Sequence, residues 1–185
     1  MPFTHIKNKL KSLMKQTRYE HSLRVANTAK LLAKHWKEDE ENAYLAGLIH
    51  DCAKELNPQS FAKRNILLSK QDLSVYKKYQ PIWHALVAPK FIPIEFNIIN
   101  PSILTAAKWH ATGSARMSKL SQIIYIADYI EPERKFDNKK IKELAFISLN
   151  KTCYEIANST LFRLIKISAT IHPCSLSCRN YYIEN

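Results

Sequence analysis

The sequence predicts an all-α protein, and three observations carry that expectation. Apolar residues recur at three- and four-residue spacing through almost every segment. Helix starts and stops are marked by capping residues and prolines at intervals suited to a bundle. The one strand-like run, Ile123-Ile124-Tyr125-Ile126, has no comparable strands around it and so reads as helix. A chain of 185 residues fits one domain that buries about two-thirds of its unfolded surface.

From the N-terminus, residues 1–14 read as a basic helix or extension with Lys at 7, 9 and 11. They lack the apolar core and cleavage site of a secretory signal. Thr17-Arg18-Tyr19-Glu20 predicts a capping box at a helix start. Behind it His21, Val25, Thr28 and Leu32 share one stripe, with Leu31 and His35 on a neighbouring one. The acidic run Glu38 to Glu41 opens a second helix through Tyr44, Leu45, Leu48 and Ile49. That helix ends at His50-Asp51, ahead of a break at Asn57-Pro58. Residues 59–79 suggest one or two short polar helices. Pro81 starts another, carrying His84 in its first turn, and Pro89, Pro93 and Pro101 are expected to break the chain beyond it. Ser102 to His110 resumes as helix, residues 111–114 form a loop, and Ser118 caps a helix from Lys119 to Ile130 that stops at Pro132. One or two helices are expected between Asn138 and Ser168. Their core candidates are Leu144, Ile147, Leu149, Ile156, Leu161, Leu164 and Ile165.

The chemistry gathers in six residues: His21, His50, Asp51, His84, His110 and Asp128. Asp128 shares a helical stripe with Leu120 and Ile124, so its carboxylate points where the apolar face points. A buried carboxylate needs a partner or a metal. Taken singly, a core Asp or His is more often satisfied by neighbouring protein groups. Six in this order, four of them within apolar helical patterns, favour an imidazole and carboxylate site for first-row transition ions. Two carboxylates are too few for an all-oxygen calcium cage. A pair of ions could share Asp51, because His50 beside it already faces one of them. Lys54, one turn further on, suits a phosphate as a point charge, or equally a helix C-terminus as a counter-charge. His5 and His35 read as surface residues.

Composition narrows the function classes. Gly stands only at 47 and 113, which excludes glycine-rich phosphate loops. The charge of +12 attracts anions in general. Its lysines are scattered without the aromatic-basic motif of a nucleic-acid reader, so no nucleic acid is expected as a partner. No apolar run reaches the ~18–20 residues of a membrane span. Cys52, Cys153, Cys174 and Cys178 form no disulfide framework and read as free thiols of a cytoplasmic protein.

The spread of His21, His50-Asp51 and Asp128 resembles the HD-domain metal-dependent phosphohydrolases. More closely, the chain is similar to the bacterial YqeK family, the symmetrical bis(5′-nucleosyl)-tetraphosphatases. The matching stretches are residues 18–26 (RYEHSLRVA), 45–54 (LAGLIHDCAK), 109–113 (WHATG), 123–132 (IIYIADYIEP) with Arg134, and Ile171-His172-Pro173 with Arg179-Asn180. The likeness runs over residues 15–182. It implies a single HD-domain helical bundle with a buried metal cluster and a metal-bound hydroxide that cleaves diadenosine tetraphosphate into two ADP. Iron is the implied metal, as one or two ions, with manganese or another divalent ion as substitutes. His21, His50, Asp51 and Asp128 would hold one metal, and His84 and His110 would complete the second site. Asp51, Lys54, His84 and His110 are the expected catalytic residues. Lys54, Thr112, Gly113, Arg134 and His172 are carried over as substrate contacts, with the turn at His172 closing over the nucleotide. A homodimer is compatible with the likeness.

The chain departs from the family pattern at Ser114, where Arg is usual, at Glu133 in place of Gly, and in reading HALV at His84. Other readings are an HD enzyme acting on a different nucleotide, such as a nucleotidase or signalling-nucleotide phosphatase, or a non-catalytic nucleotide-binding module.

Overall fold

Gly47 lets two helices meet almost backbone to backbone. A Cβ there would lie 2.8 Å from Cα of Ala26 and 3.0 Å from its amide nitrogen. The two helices are α2 (Gln16–Trp36) and α3 (Glu40–Ile49) of a computed structural model that describes residues 3–136 and 138–184. With α7 (Pro101–Trp109) and α8 (Lys119–Ile130) they make the central bundle. Small buried residues at the contacts, Ala26, Ala29, Ala46, Ala106 and Ala107, keep the axes close, and Leu32, Leu48, Ile49 and Ile123 fill the layers between them.

The remaining elements surround this bundle. α1 (Phe3–Leu13) crosses α2 and α3. The short α4 (Pro58–Ala62) and α5 (Lys70–Lys78) lead into α6 (Gln80–Phe96), which lies along α7. After α9 (Lys139–Leu144), α10 (Leu149–Lys166) packs on α8, and α11 (Pro173–Glu184) packs on α10. No strand occurs among the described residues, and Ile123–Ile126 is helical, as its isolation suggested. All four cysteines are free thiols. Asp39 caps α3 through the Asn42 amide, and Ser118 caps α8 through that of Ser121.

Several expectations are corrected. The helix predicted to start at Thr17 starts at Gln16, with Lys15 as its N-cap and no side-chain cap. Glu20 accepts from Gln16 Nε2 at 2.8 Å, and the Lys15 amide donates to Glu55 at 3.2 Å. A distant carboxylate thus takes the N-cap amide, the half of a capping box that a carboxylate supplies. Pro89 and Pro93 do not break the chain but lie inside α6, which continues to Phe96. The buried stripe Trp83, Val87 and Phe91 holds the helix together across the missing amides, so packing overrides propensity. Ile147 and Ile165, expected in the core, are 72% and 64% exposed, whereas Leu149, Ile156 and Leu161 are buried. α11 was not foreseen; Pro173 at its first position was the available sign.

Gly47→Ala should lower stability by about 1–3 kcal/mol, because the new methyl meets backbone atoms of α2 that no side-chain rotation can move. Thermal unfolding of the variant measures this, and an unchanged midpoint would mean that α2 and α3 separate freely.

Candidate metal centre

The ends of five helices deliver the six residues to one point. His21 stands in the second turn of α2 and His84 in the first turns of α6. His50 and His110 are the C-terminal caps of α3 and α7, and Asp128 is in the last turn of α8. Beyond His50 the chain tightens, with Cys52 N bonded to Ile49 O at 3.0 Å and Lys54 N to Asp51 O at 2.9 Å. This tight turn places both Asp51 and Lys54 against the bundle.

Asp51 is the centre of the cluster. Its Oδ2 lies 4.0 Å from His21 Nε2 and 3.7 Å from His50 Nε2. Its Oδ1 lies 2.9 Å from His84 Nε2 and 3.3 Å from His110 Nε2. Asp128 Oδ1 adds contacts of 3.0 Å to His21 and 3.8 Å to His50. His84 and His110 face each other with Nε2 atoms 3.2 Å apart. All four imidazoles and Asp51 are buried.

Three of these atoms, His21 Nε2, His50 Nε2 and Asp51 Oδ1, make no aligned hydrogen bond although they are buried and close to polar neighbours. Lone pairs that converge without being bonded to one another suit a shared cation, and such buried groups are costly if left unmatched. The donor set contains no thiolate: burial, followed by the Asp51 charge, pushes the neighbouring Cys52 thiol far up. Imidazole and carboxylate together fit a divalent first-row ion.

Electrostatics set the protonation of His50, His84 and the two carboxylates. Burial drives His50 down to about 3, helped by His110 and His21 and opposed by Asp51 and Asp128. Burial likewise brings His84 down to about 4, against the pull of Asp51. For Asp51 burial acts upward, but His50, His110 and His84 together hold its carboxyl well below the usual range. Asp128 is lowered in the same way, burial being outweighed by His21, His50 and Arg134. Neutral imidazoles and ionised carboxylates are the metal-binding forms.

The outer contacts fix which ring nitrogen faces inward. His50 Nδ1 lies 2.6 Å from Gly47 O, and His110 Nδ1 lies 2.7 Å from Ala107 O. His21 Nδ1 instead meets a carboxylate, Glu131 Oε1, at 3.2 Å. Glu131 is only 2% exposed; it also accepts from Arg24 Nε at 2.7 Å and from the Glu133 amide at 2.9 Å. Arg18 donates to Asp51 Oδ2 at 2.7 Å. Glu131, Arg24 and Arg18 were missed in the sequence. Their sign was spacing, since Arg18 and Arg24 stand three residues either side of His21 and Glu131 stands three after Asp128.

The expected substrate contacts divide into two groups. Lys54 is beside the cluster, its Nζ 3.1 Å from Pro81 O and 3.3 Å from His84 Nε2. Arg134 donates through Nε to Asp128 O at 2.7 Å and through its terminal nitrogen to the Asp128 carboxylate. Thr112 and Gly113 lie in the turn after His110, packed close to α11. The Thr112 hydroxyl is buried and donates to Gly113 O at 2.8 Å, and Gly113 has φ 62° with a Cβ position that overlaps Cys178 Sγ. His172 stands further out, its ring 4.8 Å from that of Tyr79. A cleft of about 240 Å³ opens at His110, Asp128 and Arg134. It shares Ala111, Thr160 and Arg163 with a cavity of about 360 Å³ walled by Tyr79, Ile82, Leu164 and His172.

A helical bundle whose helix ends gather histidines around a His-Asp pair defines a class. Residues 18–133 match the HD domain, and the chain belongs to that family of metal-dependent phosphohydrolases. Its relatives narrow this to the YqeK type. The chain is 36% identical over 177 residues to a Staphylococcus aureus (strain NCTC 8325 / PS 47) protein named symmetrical bis(5′-nucleosyl)-tetraphosphatase, covering 93% of this chain and 90% of that one. A Bacillus subtilis (strain 168) protein of the same name is 30% identical, with 95% and 94% covered. A crystal structure from Clostridium acetobutylicum, described as a predicted HD superfamily hydrolase involved in NAD metabolism, superposes with a TM-score of 0.83 at 33% identity. That superposition covers 100% of this chain and 98% of the other.

Two outcomes are expected from this geometry. Glu131→Gln should weaken divalent-metal retention about 10- to 100-fold, measured by competition with a chelator; unchanged affinity would show that Glu131 does not tune His21. The metal-free protein should lose stability as pH falls below 6.5, the ordinary value of His50 and His84. Their folded values lie lower, so the unfolded chain takes up protons first and the stability present above 6.5 drains away toward about 3. Thermal midpoints across that window test the sign, and a rise on acidification would contradict it.

Proposed function

We propose that the chain hydrolyses diadenosine tetraphosphate symmetrically to two ADP. The observation that carries this reading is the two-sided presentation of Asp51, one oxygen toward His21 and His50 and the other toward His84 and His110. It occurs in a chain that matches proteins named for this activity over nearly their full length. In this reading His21, His50, Asp51 and Asp128 hold one ion, His84 and His110 complete a second site, and iron is the metal, replaceable by manganese or another divalent ion. Bound there, such ions neutralise developing phosphoryl charge and make water nucleophilic near neutral pH.

The protein's own groups position the substrate. Lys54 and Arg134 flank the cluster on two sides and counter the charge on the phosphate oxygens. Burial lowers the Lys54 pKa, partly offset by Asp51. Arg163, shared by the cleft and the cavity, faces the phosphates leading away from the cluster. The nucleoside lies in the cavity against Tyr79, Ile82 and Leu164, with His172 as one wall. His172 is held in place by the Cys174 amide, which donates to its Nδ1 at 3.2 Å. The water oxygen bonds to a central phosphorus and the bridging P–O bond breaks. One ADP departs as a diphosphate, whose weak basicity removes the need for a strong general acid, and the water proton passes to solvent. We take the chain to act as one catalytic domain in the cytoplasm. Among the described residues no helix is long and apolar enough to cross a membrane.

The test is product analysis with diadenosine tetraphosphate, using protein reconstituted with ferrous iron and a chelated control. ADP as sole product, lost on chelation, is the expected result; AMP plus ATP would overturn the cleavage position. Asp51→Ala should lose turnover and metal retention together, and full activity in that variant would refute the shared-carboxylate scheme.

A further inference from the structure

The cluster is reached from a second direction. A cleft of about 180 Å³, lined by Lys54, Leu56, Tyr76, Gln80 and Pro81, ends on His84. The wide cleft ends on His110, and these two imidazoles are 3.2 Å apart at Nε2. We propose that the Lys54 cleft holds the second nucleoside diphosphate half of the dinucleotide, the half that does not occupy the cavity at His172. This rests on the hydrolysis proposed above.

Symmetry of the reaction supplies the first argument. Cleavage at the centre of a symmetric tetraphosphate leaves a diphosphate and a nucleoside on each side of the reacting bond. One half runs from the cluster past Arg163 into the wide cavity, so the other must leave by a different route. The Lys54 cleft meets the cluster at its other imidazole, His84.

The chemistry of its walls supplies the second. Lys54 Nζ has a carbonyl and an imidazole as its neighbours, and among the described residues no carboxylate pairs with it. Asp51 acts on it only from beyond hydrogen-bond range, so its charge suits an anion from outside the chain. Further along the cleft, the Tyr76 ring is braced edge-on against Trp83, with centroids 4.9 Å apart at 70°. Trp83 is fixed in turn by its Nε1 donating to Asp72 O at 2.9 Å. A rigid aromatic wall beside a half-buried ammonium is a recognition surface for a nucleoside phosphate. The cleft falls below the roughly 300 Å³ that encloses a whole drug-sized ligand. It takes the diphosphate at Lys54 and lets the base lean on Tyr76 at the rim, with the ribose toward solvent.

The experiment compares metal-loaded wild-type protein with Tyr76→Ala on two substrates, diadenosine tetraphosphate and adenosine 5′-tetraphosphate, which keeps the four phosphates but has one nucleoside. The ratio of kcat/KM for the two should fall about tenfold in the variant, within the range for losing one base–aromatic stack. Because both rates come from one preparation, partial unfolding cancels. Leu56→Ala offers the same comparison if loss of the Tyr76–Trp83 contact prevents folding, with a smaller fall expected. An unchanged or raised ratio in a folded variant overturns the assignment of this cleft and leaves the hydrolysis standing. Wild-type protein that releases ADP from neither compound would overturn the underlying reading instead.

Discussion

An ionised carboxylate buried among four imidazoles is the constraint on which this structure depends. Asp51 could not hold its charge in the bundle interior without neighbours that favour it, and each neighbour comes from a different helix end. The site and the core are therefore one problem. The close approach at Gly47 and Ala26 sets the distance between His21 and His50, and the packing of α6 on α7 sets that between His84 and His110.

Helix termini serve the site twice. The last turn of a helix has carbonyls with no amide partner inside the helix. At α3 and α7 two carbonyls near that turn, Gly47 O and Ala107 O, meet the Nδ1 atoms of His50 and His110 and so direct Nε2 inward. His21 sits near a helix start, where no such carbonyl is at hand. Its outer partner is Glu131, itself held by Arg24. Three histidines of similar aspect are thus oriented by two different devices, according to their place on the helix.

The same local logic gives meaning to a charge that is uninformative in total. Of the many basic residues behind the +12 balance, Arg18 and Arg134 are bonded to the cluster carboxylates Asp51 and Asp128, whereas the hydrogen-bond neighbours of Lys54 among the described residues are a carbonyl and an imidazole. The first two temper the negative charge of the cluster. Lys54 is the cation that the proposed reading assigns to phosphate, and its position one tight turn after Asp51 holds it beside the cluster.

Much of this was legible along the chain, because helical periodicity and capping act over a few residues. The all-α class, the helix from Lys119 to Ile130, the stripe that turns Asp128 inward and the His50-Asp51 helix end all follow from spacing alone. Local signals failed where distant groups decided. Glu55 replaced the cap at Thr17, the stripe through Trp83 and Phe91 carried α6 across two prolines, and Ile147 and Ile165 turned outward. At Gly113 the nearness of Cys178 on α11 leaves no room for a Cβ, a constraint that no local signal carries. The sequence by itself determined which residues could meet, since their types and faces are local properties. Only the tertiary structure decided which oxygen of Asp51 faces which imidazoles, that Glu131 braces His21, and that two clefts lead to the cluster. Those are distances between segments up to about a hundred residues apart, set by packing rather than by spacing along the chain.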